Sequence, residues 1–161
     1  MQIPMSIKGL MMDPITNMPI VILHDPDSRR VLPIWVGVFE ANAIALQIEN
    51  VATPRPMTHD LLRNVLQELH AAVDKIVVTD LRENTFFALI HLKVSGDPLV
   101  IDARPSDAIA LALRTQAPIY VEDTVLEHAK TVDSIPEKQD DERLSKWLES
   151  LDPEDLGKYK M

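Results

Sequence analysis

ANAIAL at residues 41–46 and SDAIAL at residues 106–111 are near-copies sixty-five positions apart, and each follows an apolar run, LPIWVG (32–37) and PLVIDA (98–103). Self-similarity at a fixed offset marks a duplicated supersecondary unit. The same offset carries PIVIL (19–23) onto NTFFAL (84–89) and GLMMD (9–13) onto DKIVV (74–78). Each half, at about residues 1–50 and 72–121, therefore reads strand, strand, strand, helix. The fold class expected is α/β of the α+β kind: one domain built from two such repeats.

Turn chemistry agrees with that division. Asp13-Pro14 and Thr16-Asn17 separate the first two strands, and His24-Asp25-Pro26-Asp27 the next two. Arg82-Glu83-Asn84 and Ser95-Gly96-Asp97 do the same in the second half. Connections this short suit antiparallel hairpins, because parallel strands need a long crossover. Phe86, Ala88, Ile90, Leu92 and Val94 alternate with Phe87, Leu89, His91 and Lys93, so the first set faces a core and His91 lies on the surface face. Between the halves, Thr58 is placed to cap an inserted helix carrying Leu61, Leu62, Val65, Leu66 and Leu69 at helical spacing. Ile109, Leu111 and Leu113 leave the second repeat helix apolar on nearly every side, which predicts a buried central helix. A short strand follows at residues 119–121.

The 161 residues fit one domain (1–130) plus an appendage (131–161). That appendage is acidic, nine acids against five bases, and its residues 140–151 place Leu144, Trp147, Leu148 and Leu151 on one helix face. It reads as a helical tail that docks on the body or on a neighbouring subunit. A content of 46% hydrophobic and 25% charged residues is that of a soluble globular chain. No stretch approaches the roughly 20 apolar residues that span a bilayer, and residues 1–8 lack the basic-then-apolar order of a signal peptide. Zero cysteines remove disulfides and thiolate zinc sites and fit a reducing compartment, so a cytoplasmic location and no membrane partner are expected. The net charge of −9 opposes passive binding of polyanions. Seven of the eight arginines nevertheless precede residue 131, so a local exception has material to work with.

Three helix entrances carry polar groups beyond what their surroundings require: Gly37 to Asn42 with Glu40, Arg55 to Asp60, and Asp102 to Asp107. Free N–H groups at a helix start attract phosphate or carboxylate, and arginine adds a bidentate clamp. If the entrances converge, Glu40, His59, Asp60 and Asp107 are the candidate catalytic groups. Arg55, Thr58, Arg104 and Ser106 would then hold substrate, and Asp60 with Asp102 a divalent ion such as Mg²⁺. A structural alternative stands beside this: Ser106 and Thr58 as N-caps, with Glu40, Arg55 and Arg104 in ion pairs that fix the halves together.

The segments LPIWVGVFEANAI (32–44), RPMTHDLL (55–62) and IDARPSDAIALALR (101–114) together resemble the bifunctional nuclease domain family over roughly residues 1–130. The resemblance implies a duplicated α/β domain, a homo-oligomer, and hydrolysis of phosphodiester bonds in DNA and RNA, as in some members, usually with a divalent metal. It also places the family's polar residues on Glu40, Arg55, Thr58, His59, Asp60, Asp102, Arg104, Ser106 and Asp107. After residue 130 the chain departs from relatives that carry a helical hairpin of the excision-repair kind. A metal-assisted nuclease is thus the leading expectation, and a non-catalytic oligomeric module that binds nucleotides or anions is the alternative.

Overall fold

Strands β1 (Gln2–Met12), β2 (Pro19–His24) and β3 (Val31–Trp35) form one antiparallel meander, and β4 (Ala71–Arg82), β5 (Thr85–Val94) and β6 (Asp97–Ala103) form another. Helix α1 (Val38–Ile48) follows the first and α3 (Pro105–Thr115) the second, with α2 (Thr58–Glu68) between them. The computed structural model describes residues 1–129, closing with β7 (Ile119–Glu122) and α4 (Asp123–His128). The tail helix expected at 140–151 lies outside the described residues.

The four hairpin connections are antiparallel, as their lengths require. What periodicity does not reveal is the role of β7. It pairs antiparallel with β1 (Ile3 opposite Val121) and parallel with β4 (Ile76 opposite Ile119), giving one seven-stranded sheet in the order β3-β2-β1-β7-β4-β5-β6. The parallel pair is possible because β5, β6 and α3 supply the long connection.

Two loops in the first meander repeat one design. In each, an Asp followed by Pro accepts the N–H two residues on and the hydroxyl three residues on: Ile15 and Thr16 for Asp13, Asp27 and Ser28 for Asp25. The chain then turns through a left-handed residue, Asn17 (φ 59°) in one and Arg29 (φ 61°) in the other. A main-chain bond closes each loop, from Asp13 N–H to Met18 at 2.8 Å and from Asp25 N–H to Arg30 at 2.9 Å. Asp13 is also the acceptor for the indole N–H of Trp35 at 2.8 Å, so the largest core side chain has its polar atom satisfied.

The core joins the inner faces of both meanders to α1 and α3. Phe86, Ala88, Ile90 and Leu92 are buried as the alternation predicts, and α3 is buried along nearly its whole length. Helix α2 behaves differently. Leu61, Leu62, Val65 and Leu69 remain exposed, Leu66 only leans on the core, and the one buried residue of the helix is His59. The expected caps also move. Helix α3 starts at Pro105, whose missing N–H costs nothing there, so Arg104 is the N-cap and Ser106 is carried inside the first turn. At α2 the N-cap is Met57. Asp60 reaches back to accept its N–H at 3.0 Å, so the entrance is tied by Asp60 and not by a Thr58 cap.

Candidate active site

Arg104 stands where β6 becomes α3, and its guanidinium joins the two halves of the chain. Nη2 donates to Glu40 Oε1 on α1 at 2.8 Å, while Nε donates to Asp107 Oδ2 at 2.9 Å. The other oxygen of Asp107 lies 2.8 Å from His59 Nε2 on α2. Glu40, Arg104, Asp107 and His59 thus form one continuous chain across three helix entrances. The carboxylate of Asp107 first, and that of Glu40 second, raise the pKa of Arg104 above its already high ordinary value, so the cation is permanent.

These four residues, with Thr58 and Asp102, border a cavity of about 670 Å³. Its other walls are apolar, from Leu62 and Leu66 on α2, Ile90 and Leu92 on β5, and Ile101 on β6, with Phe39 at 88% exposure on the rim. Gly37 belongs to the site too. A Cβ there would collide with the carboxylate of Glu40, so glycine lets that side chain fold back over the helix start.

Asp60, Arg55 and Ser106 lie elsewhere. Asp60 faces away from the cavity and accepts from Arg114 Nε at 2.7 Å. Burial works to raise the pKa of Asp60, but the Met57 N–H, the Arg114 bond and the nearby charges of Arg114 and Arg63 outweigh it and hold it below the ordinary carboxylate value. Arg55 shares a separate hollow with Asp60 and Arg63. Ser106 borders neither space; its hydroxyl is buried without a hydrogen-bond partner among the described residues. Asp102 is at the cavity's border, but it pairs with Leu89 across the sheet, so strand alternation sets its side chain on the face opposite Ile101 and Ala103.

The pairing of Asp60 with Asp102 around a divalent ion therefore does not fit. One carboxylate is held by Arg114 and the other belongs to a different face. Glu40 and Asp107 are both engaged by Arg104. Among the described residues no group of three His, Asp or Glu side chains is arranged to hold a metal.

Sequence reasoning missed Arg114 and the apolar walls. Arg114 carried a usable signal, since a cation inside the apolar run IALALR must find an acceptor or leave the core. Met57 and Phe39 carried none, because exposure of a single apolar residue is invisible to periodicity.

A family model described as bifunctional nuclease domain matches residues 21–134. An uncharacterised protein of Mycobacterium tuberculosis is 36% identical over 93% of this chain and 95% of its own length. "Bifunctional nuclease 1" of Oryza sativa subsp. japonica is 26% identical, and "Bifunctional nuclease 2" of Arabidopsis thaliana 29%, each over 63% of this chain and 32% of the relative. The chain thus spans about a third of the length of those two plant proteins.

Proposed function

This chain belongs to the bifunctional nuclease domain family, and on that footing we propose that it hydrolyses phosphodiester bonds of DNA or RNA in the cavity between α1, α2 and α3. The observation that carries the reading is the His59–Asp107–Arg104 constellation at the cavity's polar end. In the tautomer that donates Nε2–H to Asp107, the His59 ring keeps a lone pair on Nδ1. There it accepts a proton from water as the water oxygen bonds to phosphorus. When the phosphorus–oxygen ester bond breaks, the leaving oxygen takes that proton. Arg104, half-exposed, faces the charge that accumulates on the non-bridging oxygens, and Asp107 orients both groups. Glu40 fixes Arg104 from the other side.

The test compares wild type with His59→Gln and Arg104→Ala on labelled single-stranded and duplex DNA and RNA. Each variant is expected to lose on the order of 10²–10³-fold in kcat. Equal activity in all three proteins removes the assignment. Reactions run with Mg²⁺ and with chelator separate a step made by residues alone from one that requires an ion.

A second reading has its own observation: the carboxylates of Glu40 and Asp107 outnumber Arg104 around the cavity, which suits a binding module better than a strong polyanion trap. It predicts thermal stabilisation by a nucleotide without turnover. A homo-oligomer belongs to both readings and is supported by the exposed row Leu61, Val65 and Leu69 on α2 and by Leu99 and Val100 on the edge strand β6. Sedimentation velocity tests it. No helix among the described residues is long and apolar enough to cross a membrane; a cytoplasmic setting, suggested by the absence of cysteine, is part of the proposal.

A further inference from the structure

The cavity holding His59 has a charge problem for any nucleic-acid ligand. Its carboxylates exceed its cations, and its one arginine is already shared between two of them. Attraction for a polyanion must come from beside it. The segment from Arg55 to Asp60 has two sides: Met57, Thr58 and His59 border the cavity, while Arg55, Pro56 and Asp60 border a second hollow of about 320 Å³ together with Arg63. That hollow has the opposite balance. Asp60 is its one acidic lining residue among those described, and the 2.7 Å bond to Arg114 neutralises it from behind.

Arg55 and Arg63 are left with charge to spare. Neither has a carboxylate within ion-pair distance among the described residues; Arg63 hydrogen-bonds the side-chain oxygen of Asn64 at 3.1 Å and reaches Asp60 only through its longer-range charge. Thr53 fixes the loop by donating its hydroxyl to the Arg55 carbonyl at 2.8 Å, which presents that arginine from a braced turn between two prolines. Two guanidiniums on one concave surface form a forked donor set matched to phosphate oxygens. In a chain of net charge −9, a hollow with two arginines against a single aspartate already bonded to Arg114 is a local exception of the kind that polyanion binding needs.

We propose that the Arg55–Arg63 hollow is a phosphate subsite for a nucleotide neighbouring the scissile one, so that a nucleic-acid strand crosses the start of α2 with one phosphate here and the next at Arg104. This rests on the nuclease reading above and adds where binding energy arises. It gives the two arginines of the sequence pattern different work: Arg104 at the reacting phosphate, Arg55 at a spectator phosphate.

Fluorescence anisotropy tests it, with a 12-nucleotide single strand and a dinucleotide as probes, each titrated between 50 and 200 mM salt. For the longer probe, the slope of log affinity against log salt should flatten by about 0.7 for each arginine lost, or about 1.4 in Arg55→Gln/Arg63→Gln, with affinity falling on the order of tenfold. Arg63→Lys should retain the slope. A dinucleotide without a terminal phosphate, whose single phosphate seats at Arg104, should bind wild type and double variant with the same slope. Identical slopes for the 12-mer in wild type and double variant overturn the subsite while leaving the cavity assignment intact. Failure of wild type to bind the 12-mer at any salt overturns the nuclease reading itself, and the subsite with it.

Discussion

Replacing Arg114 by Met should unfold much of what holds the three helices together. The arginine side chain is 2% exposed and has three acceptors on three helices: Asp60 on α2 at 2.7 Å, the Ala110 carbonyl on its own helix at 2.9 Å, and the Ala43 carbonyl on α1 at 3.0 Å. Methionine fills similar space but satisfies none of them. Breaking a buried pair by removing one member costs about 3–5 kcal/mol, because the other charge is left without compensation. Against a domain stability of roughly 5–15 kcal/mol that is a large share. In urea at pH 7, with a slope near 2 kcal/mol/M, the midpoint should fall by about 2 M.

Asp60→Asn should also destabilise, because Arg114 and the Met57 N–H bond to different carboxylate oxygens and the single amide oxygen can accept only one of them in place. The double variant should be less destabilised than the sum of the two singles. The pH dependence supplies an independent check. The pKa of Asp60 is lowered on folding, so its contribution to stability is fully present above the unfolded carboxylate value, near pH 4, and is lost as pH falls through the folded value. Arg114→Met removes part of that lowering, and the variant should lose less stability between pH 5 and pH 2 than wild type does. A midpoint within 0.3 M of wild type, or an unchanged acid limb, refutes this account of how α1, α2 and α3 are joined.

Gly37→Ala should disturb the cavity without harming the fold. The added methyl collides with Glu40 and pushes its carboxylate off Arg104, so cleavage should fall at least several-fold while the melting temperature stays within about 2 °C, read by parallel activity and calorimetry. Arg29→Asn should raise stability by about 0.5 kcal/mol, because asparagine tolerates the left-handed conformation better. Asn17 already occupies the matching place in the preceding loop, and a thermal melt of the variant reads the gain.

Much of the architecture was legible because it is written in short range. The alternation of Phe86, Ala88, Ile90 and Leu92 needs only the strand's period of two, and Asp13-Pro14 and Asp25-Pro26 announce their turns through side chains that bond to their own loops. The candidate site was legible in its residue types and partly in its membership. Glu40, His59, Arg104 and Asp107 do meet around one cavity. Asp60 and Ser106 share their motifs yet face elsewhere, since one residue of advance along a helix turns a side chain by about 100°, and Arg55 sits in the loop before α2.

Chain-local chemistry alone determined where strands turn, which strand face is apolar, and that three polar helix entrances exist. Tertiary structure decided the rest: that β7 joins two meanders, that Arg114 claims Asp60, and that α2 keeps its leucines outside. Those outcomes depend on which surfaces meet across long sequence separations. A buried carboxylate accepts whichever cation the packing brings within about 3 Å, and no spacing rule records that distance.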